Sequence, residues 1–534
     1  MGTDTFHVAG RIEEKAVSRH EWRAVAILQV LFLAVALVGL DGPFVSTHFL
    51  RQNQTYDVAR HVFHEGWSAV LTPRASFSQL SRPDDIYSPL VTPAPPFTII
   101  HLEVPFHGLI GWPAAALFPQ HERAVVRLVS VLFSLLSIQL LYAILRRWLE
   151  PAPAWCGVAL WTTTPLFVHF GQAANPDILA TTGMAAAFFF ALRGQLAASS
   201  AAFLFTILAK LSIIIYGLPL LTALVLARNC RSLVEMVRVT LAWGLMPLVG
   251  LVAWLSLSLH DPPGSWVVFG GFRPGDYGPV QLSDLLQLAF YVLPLLYLFP
   301  FGCGLMGWLG LFFAVGTGGA RMNPWLKAAI LLSLVVNYAG ERIVWREPQY
   351  MLPVLFWLSI ASAFGFPRLL EWWHRNQQGK LTLGCALLFH LMVVAGSVYF
   401  LKASRVPNVA DIEAAGRLTP VEARLVVYAG TASASPSAWL NRNTLKFNPF
   451  GENPDPGQFK LLEDQLQSFS KAGFAYLVVF DIEQQHSLSP VPKSTLSYAT
   501  HFTEPSSATR RFFDARYQKL FEGDHVVLYR LSGS

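Results

Sequence analysis

The chain has 534 residues, of which 53% are hydrophobic and 13% charged. Soluble domains carry roughly 25% charged residues, so this composition excludes a soluble globular protein and indicates a polytopic membrane protein. The formal charge of +6 does not indicate nucleic-acid binding, because Lys and Arg cluster at the ends of apolar segments and report orientation across a bilayer instead.

Arg11, Lys15, Arg19 and Arg23 precede the first apolar run, residues 24–40. No cleavable signal peptide is evident, so this run is expected to be a retained span with the N-terminus in the cytoplasm and Asp41 on the outer face. Residues 41–123 form a long first outer loop rich in polar and aromatic residues, with a helix expected over about residues 47–65. Within that helix Arg60 lies three residues beyond Asp57 and is spaced to pair with it. Residues 97–118 are apolar but carry His101, Glu103, His107, Pro105 and Pro113. An intramembrane charge costs about 2.5–3.5 kcal/mol even on insertion scales, so this stretch is expected to lie at the outer interface.

Residues 124–145 are the cleaner second span and end at Arg146 and Arg147, which belong inside. Segments 154–174 and 178–192 follow, separated by Asn175, Pro176 and Asp177. The run 199–227 is too long for one helix, since about 20 residues span a bilayer. Two short or tilted spans are expected there with Lys210 at the outer turn, because Arg228, Arg231 and Arg238 then fall inside; the alternative is one long tilted span with Lys210 buried, which reverses every later segment. Further spans are expected at 239–259, 285–316, 325–339, 349–366 and 381–401, giving about eleven. From residue 403 onward polar sequence surrounds the short apolar runs 424–430, 474–481 and 525–531, which read as buried strands. With an amphipathic helix at 461–471, they indicate a small α/β domain at 403–534 on the outer face, following a transmembrane domain at 1–402.

Several residues stand out chemically. Asp41 sits at the membrane boundary, where partial desolvation makes a carboxylate a better proton acceptor; the plain alternative is a solvated acid at a helix end. Glu103 lies in an apolar surround beside His101, where it takes a polar partner or a catalytic role; the plain alternative is an exposed interfacial position. Lys210 interrupts an apolar run, and an ionisable residue there marks function unless it snorkels. Arg342 and Arg346 add cations to the outer face unless Glu341 and Glu347 neutralise them. There is no GxxxxGK[ST] motif for ATP and no thiolate metal spacing among the four cysteines.

Taken in order, the acid after the first span (Asp41), His48-x-x-Arg51-Gln52-x-Gln54-Thr55 with Ala59-Arg60 and Glu65-Gly66, and His101-x-Glu103-x-Pro105 form one series. It continues through residues 127–130, Asn175-Pro176-Asp177, Ala209-Lys210 and Tyr350-x-x-Pro353. This arrangement resembles the GT-C class of polytopic glycosyltransferases, in particular bacterial members related to protein O-mannosyltransferases and the lipid A aminoarabinose transferase. The resemblance covers most of residues 20–400, and the soluble tail is similar to the outer domain of such enzymes. REPQ at 346–349 departs from the class pattern before Tyr350.

The resemblance implies an inverting enzyme of the bacterial inner membrane that moves a sugar from a polyprenyl-phosphate donor to a hydroxyl of a lipid, glycan or protein acceptor at the outer face. It implies Asp41 as catalytic base and Glu103 as a second acid that positions substrate. Lys210, Arg51, Arg60, Arg342 and Arg346 are then phosphate-binding candidates, and His48, Gln52, His101, Asp177 and Tyr350 substrate-binding candidates. No cofactor or metal is expected, because the cations suffice for the phosphate. The alternative is a secondary transporter or flippase, which usually shows paired interrupted helices in two related halves; no such repeat is visible here.

Overall fold

The computed structural model describes residues 18–44, 46, 49–75, 98–99, 103–228, 230, 232–259, 292, 295, 297–316, 322, 324–340, 348–375, 377–402, 409–420, 422–429, 439–447, 455–481 and 502–531. Helix α1 (Arg19–Ala36) starts at an N-cap, where the Ser18 side chain accepts from the Glu21 amide. The first loop holds α2 (Phe49–Glu65), α3 (Trp67–Leu71) and α4 (Phe106–Leu117), plus a two-residue antiparallel pair, β1 (Arg74–Ala75) with β2 (Thr98–Ile99). Helix α4 has 12 residues and rises only about 18 Å, too little for the roughly 30 Å hydrocarbon core. At Gly108 an added Cβ would meet Val62 Cβ at 2.7 Å, so the missing side chain lets α4 close on α2.

The bundle continues with α5 (Glu122–Leu145), α6 (Pro151–Thr163), α7 (Pro165–Phe170), α8 (Pro176–Leu192) and α9 (Leu196–Ala209). A 3-10 turn (Leu211–Tyr216) leads into α10 (Gly217–Ala227), followed by α11 (Leu233–Leu259). Beyond residue 291 come a π turn (Phe299–Cys303), α12 (Gly304–Gly316), α13 (Pro324–Gly340), a 3-10 turn (Pro348–Met351), α14 (Leu352–Ala363), α15 (Phe366–Arg375) and α16 (Gln377–Lys402). Among the described residues, three helical stretches are long and apolar enough to cross a membrane alone, 122–145, 233–257 and 380–402, and the pair 348–363 and 366–375, bent by 44°, makes a fourth. The expectation of eleven also counts shorter apolar helices such as Pro176–Leu192 and Leu196–Ala209.

Polar contacts sort the helix ends into two sides. Arg146 donates from Nε to Glu21 at 2.7 Å, joining the end of α5 to the start of α1. Arg228 donates to the Gly194 carbonyl at 2.6 Å, so the chain that passes Lys210 returns to the side it left. The run 199–227 is thus a helical hairpin with Lys210 at its turn, as the arginine pattern predicts.

The C-terminal region holds a five-stranded sheet in the order β4-β3-β5-β7-β6. Its strands are β3 (Arg424–Ala429), β4 (Asn443–Phe447), β5 (Tyr476–Phe480), β6 (Gln518–Gly523) and β7 (Val526–Arg530). β3 is parallel to β4 and β5, while β7 is antiparallel to β5 and β6. Helices α18 (Pro456–Lys471) and α19 (Ala508–Arg516) pack on one face, against Val426, Tyr428, Leu477 and Val479. Helix α17 (Val409–Arg417) covers the other, against Leu425, Val427, Val478 and Phe480. Both faces being covered explains why the central strands read as unbroken apolar runs. α18 opens with a capping box between Asp455 and Gln458.

Candidate active site

Four elements converge at the Lys210 turn. Asn175 caps α8, its Oδ1 accepting from the Asp177 amide at 3.4 Å. Asp177 therefore sits in the first helical turn, where the positive end of the macrodipole favours a carboxylate. Lys210 follows the last residue of α9, is 5% exposed, and donates from Nζ to Asp177 Oδ1. The ring of Tyr350, carried by the 3-10 turn before α14, lies 3.9 Å from the same ammonium. A buried ammonium over a ring face gains about 2 kcal/mol when desolvated.

The fourth element is the segment of residues 103–105 before α4. Its Val104 amide donates to the Leu208 carbonyl at 2.9 Å, docking the segment on the end of α9. Phe106 packs on Phe205 with ring centroids 4.6 Å apart. Glu103 is thereby held next to the cluster and accepts from Arg51 Nη2, while Arg51 Nη1 donates to Gln54 at 2.9 Å. Burial raises the Glu103 carboxyl above the usual range, and the nearby cations of Arg51 and Lys210 oppose that rise. The result is a largely buried set of two acids and two cations, formally neutral. A cavity of about 40 Å³ opens between α2 and α4, lined by Arg51, Gln54, Glu103, His107 and Pro176. His107, pushed down to about 3 by burial, is neutral and shares a 3.0 Å hydrogen bond with Ser130.

The fold is shared with proteins of known structure. The three-dimensional structure matches ArnT from Cupriavidus metallidurans, solved bound to undecaprenyl phosphate, with a TM-score of 0.62 at 17% identity over 97% of this chain and 99% of that one. The chain has the GT-C fold. The archaeal oligosaccharyltransferase AglB from Archaeoglobus fulgidus, solved with an inhibitory peptide and a dolichol-phosphate, matches with a TM-score of 0.52 at 12% identity, over 86% of this chain and 69% of that one. The arabinofuranosyltransferase AftD from Mycobacteria gives 0.52 at 13% identity, over 98% of this chain and 40% of that one. Residues 103–256 match the family model described as dolichyl-phosphate-mannose-protein mannosyltransferase. A comparison with curated protein sequences gives no match. The GT-C fold and its apolar helices make the chain an integral membrane protein.

Within this GT-C fold the predicted residues separate into groups. Arg51, Glu103, Asp177, Lys210 and Tyr350 come together. Asp41 lies apart from them: its side chain is 48% exposed and accepts from His121 Nδ1 at 2.7 Å. It lines a separate cleft of about 240 Å³ between the first loop and the C-terminal sheet, with Glu122, Arg123, Glu413 and Asn441. Arg60 also faces that side, donating to Asp57 at 3.4 Å, Asn441 at 3.3 Å and the Arg442 carbonyl at 3.3 Å. Gln52 is buried and donates to Ser46 at 3.2 Å. His48, His101, Arg342 and Arg346 lie outside the described residues.

Other contacts are not singled out by the sequence. Arg127 donates to the carbonyls of Gly39, Leu40, Gly42 and Pro43, between 2.7 and 3.1 Å, and lies 4.3 Å from the Phe44 ring. It fixes the segment that carries Asp41. Trp439 donates to the Phe44 carbonyl at 3.1 Å and Tyr56 to Asn441 at 3.2 Å, docking the C-terminal domain on the back of α2. An arginine at the start of an apolar span was the signal available for Arg127. The docking contacts join residues almost 400 positions apart and leave no local pattern.

Proposed function

We propose that this chain is a glycosyltransferase that moves a sugar, with inversion, from a polyprenyl-phosphate donor to a hydroxyl acceptor at the outer face of the bacterial inner membrane, with its N-terminus cytoplasmic and its C-terminal domain periplasmic. The observation that carries this reading is the buried cluster of Arg51, Glu103, Asp177 and Lys210, set in a GT-C fold. The solved ArnT holds undecaprenyl phosphate and the solved AglB a dolichol-phosphate; a lipid-linked donor is the corresponding substrate here.

Glycosyl transfer from a phosphate needs a base on one side of the anomeric carbon and positive charge on the other. Glu103 takes the proton of the acceptor hydroxyl, and the oxygen attacks the anomeric carbon. The bond to the phosphate breaks, and polyprenyl phosphate leaves against Lys210, while Arg51 stays paired with Glu103. The cluster is neutral before the donor arrives, so the donor phosphate adds net negative charge beside Glu103. Negative charge nearby raises its proton affinity further, which suits a base. Because cations are already present, the reading requires no metal. The acceptor is a lipid, glycan or protein.

A second reading keeps Asp41 as base. It is favoured by the larger cleft that Asp41 lines, open to an acceptor arriving between the first loop and the C-terminal domain. Incubating the purified protein with a panel of polyprenyl-phosphate sugars, followed by mass analysis, tests transfer itself. Comparing Glu103→Gln with Asp41→Asn separates the two readings, since only the variant lacking the base loses turnover while retaining donor binding.

A further inference from the structure

The transfer chemistry leaves one part of the cluster unused. Asp177 offers Oδ1 to Lys210, but its Oδ2 is buried and has no hydrogen-bond partner. The residue is 1% exposed, so solvent does not satisfy that oxygen. Ser212 Oγ, two residues beyond Lys210, is likewise buried and unpartnered. Both residues line one pocket of about 10 Å³, walled otherwise by Ile213, Ile215, Tyr216, Tyr350 and Pro353.

Size and chemistry together define what this pocket takes. That volume is about enough for one water, which needs about 10–15 Å³. A carboxylate oxygen only accepts, whereas a serine hydroxyl donates and accepts. A group that donates to Asp177 and accepts from Ser212 satisfies both, and a hydroxyl does so with one oxygen. Lys210 stands beside the pocket and is the cation assigned above to the donor phosphate. With the phosphate on Lys210, the hydroxyl within reach belongs to the sugar attached to it.

We infer that Asp177 and Ser212 form a specificity pair that reads a single hydroxyl of the donor sugar. This rests on the transferase reading. A donor lacking that hydroxyl leaves a buried carboxylate oxygen unpaired, and sites built to hydrogen-bond a hydroxyl reject analogues without it far more strongly than apolar pockets reject a change of size. The other possible occupant is a bound water with no contact to substrate, and the experiment distinguishes the two.

The test uses the purified full chain with its best polyprenyl-phosphate sugar and the set of monodeoxy analogues of that donor. Wild type is expected to transfer one analogue at least about 100-fold less efficiently in kcat/KM than the parent. Ser212→Ala is expected to narrow that one difference about ten-fold, the worth of one hydrogen bond, and to leave the other deoxy positions unchanged. Ser212→Thr, which keeps the hydroxyl but adds a methyl to a pocket with little room, is expected to weaken the parent donor. Full retention of discrimination in Ser212→Ala, or equal transfer of all deoxy donors by wild type, overturns the inference and leaves a water pocket. Wild type that transfers no sugar from any polyprenyl phosphate overturns the transferase reading and this inference with it.

Discussion

Lys210 is the residue whose removal has the most specific consequences. In Lys210→Met the side-chain volume is nearly kept, but the Asp177 carboxylate, 1% exposed, loses its cation. Breaking a buried ion pair by removing one partner costs about 3–5 kcal/mol, whereas replacing both partners with apolar residues is often neutral or stabilising. The ring of Tyr350 loses an ammonium at 3.9 Å, worth about 2 kcal/mol when desolvated, and gains a thioether contact of up to about 1.5 kcal/mol in return. The single variant is therefore expected to be destabilised and the double variant Lys210→Met with Asp177→Leu to melt near the wild-type temperature. Activity follows a different order, because removing one preorganised electrostatic contact costs about 100- to 1000-fold in turnover and the double variant does not restore it. Melting in one detergent, paired with single-turnover transfer, reads both quantities. A single variant as stable as wild type, or a double variant that recovers transfer, refutes the reasoning.

Further outcomes follow from the same contacts. The raised Glu103 carboxyl places the acid limb of the kcat/KM profile above the ordinary glutamate value of about 4.3; activity falls as pH drops through that raised value, and Glu103→Gln removes the limb. The carboxylate of Glu122 raises the pKa of His64 across a 2.9 Å contact. Its stabilisation is then complete below about pH 6.5 and lost as pH rises through the folded value; because His64 is exposed, His64→Gln lowers stability at pH 5.5 by no more than about 1 kcal/mol and leaves it unchanged at pH 8.5. Arg127→Met leaves four carbonyls of the Asp41 segment without their donor, and faster amide exchange over residues 39–44 is expected. Chelation by EDTA is expected to leave transfer intact; loss that one divalent cation restores contradicts the metal-free account.

Much of this arrangement is written in local sequence. Arginines at span ends predict the Lys210 hairpin, and the three-residue spacing predicts the Arg60–Asp57 pair. The central strands β3, β5 and β7 announce themselves as apolar runs because helices cover both faces of the sheet. Edge strands β4 and β6 do not, since Asn443–Phe447 and Gln518–Gly523 mix polar and apolar residues, and β6 is partly exposed. The separation of Asp41 from Glu103 was equally hard to see. Both flank α2, whose residues 51, 54, 55 and 58 line the Glu103 cavity while 56 and 60 contact the C-terminal domain. Helical periodicity sets those two faces, but which face meets which partner depends on residues near 440. The pairing of Lys210 with Asp177 joins two helix ends 33 residues apart that only packing brings together.

Single-turnover transfer by Glu103→Gln is the decisive measurement for the proposal that Glu103 is the base of a glycosyl transfer from polyprenyl phosphate. The variant is expected to fold, bind polyprenyl phosphate and turn over about 100- to 10,000-fold more slowly than wild type, the span typical of general-base catalysis. Wild-type turnover in Glu103→Gln contradicts it.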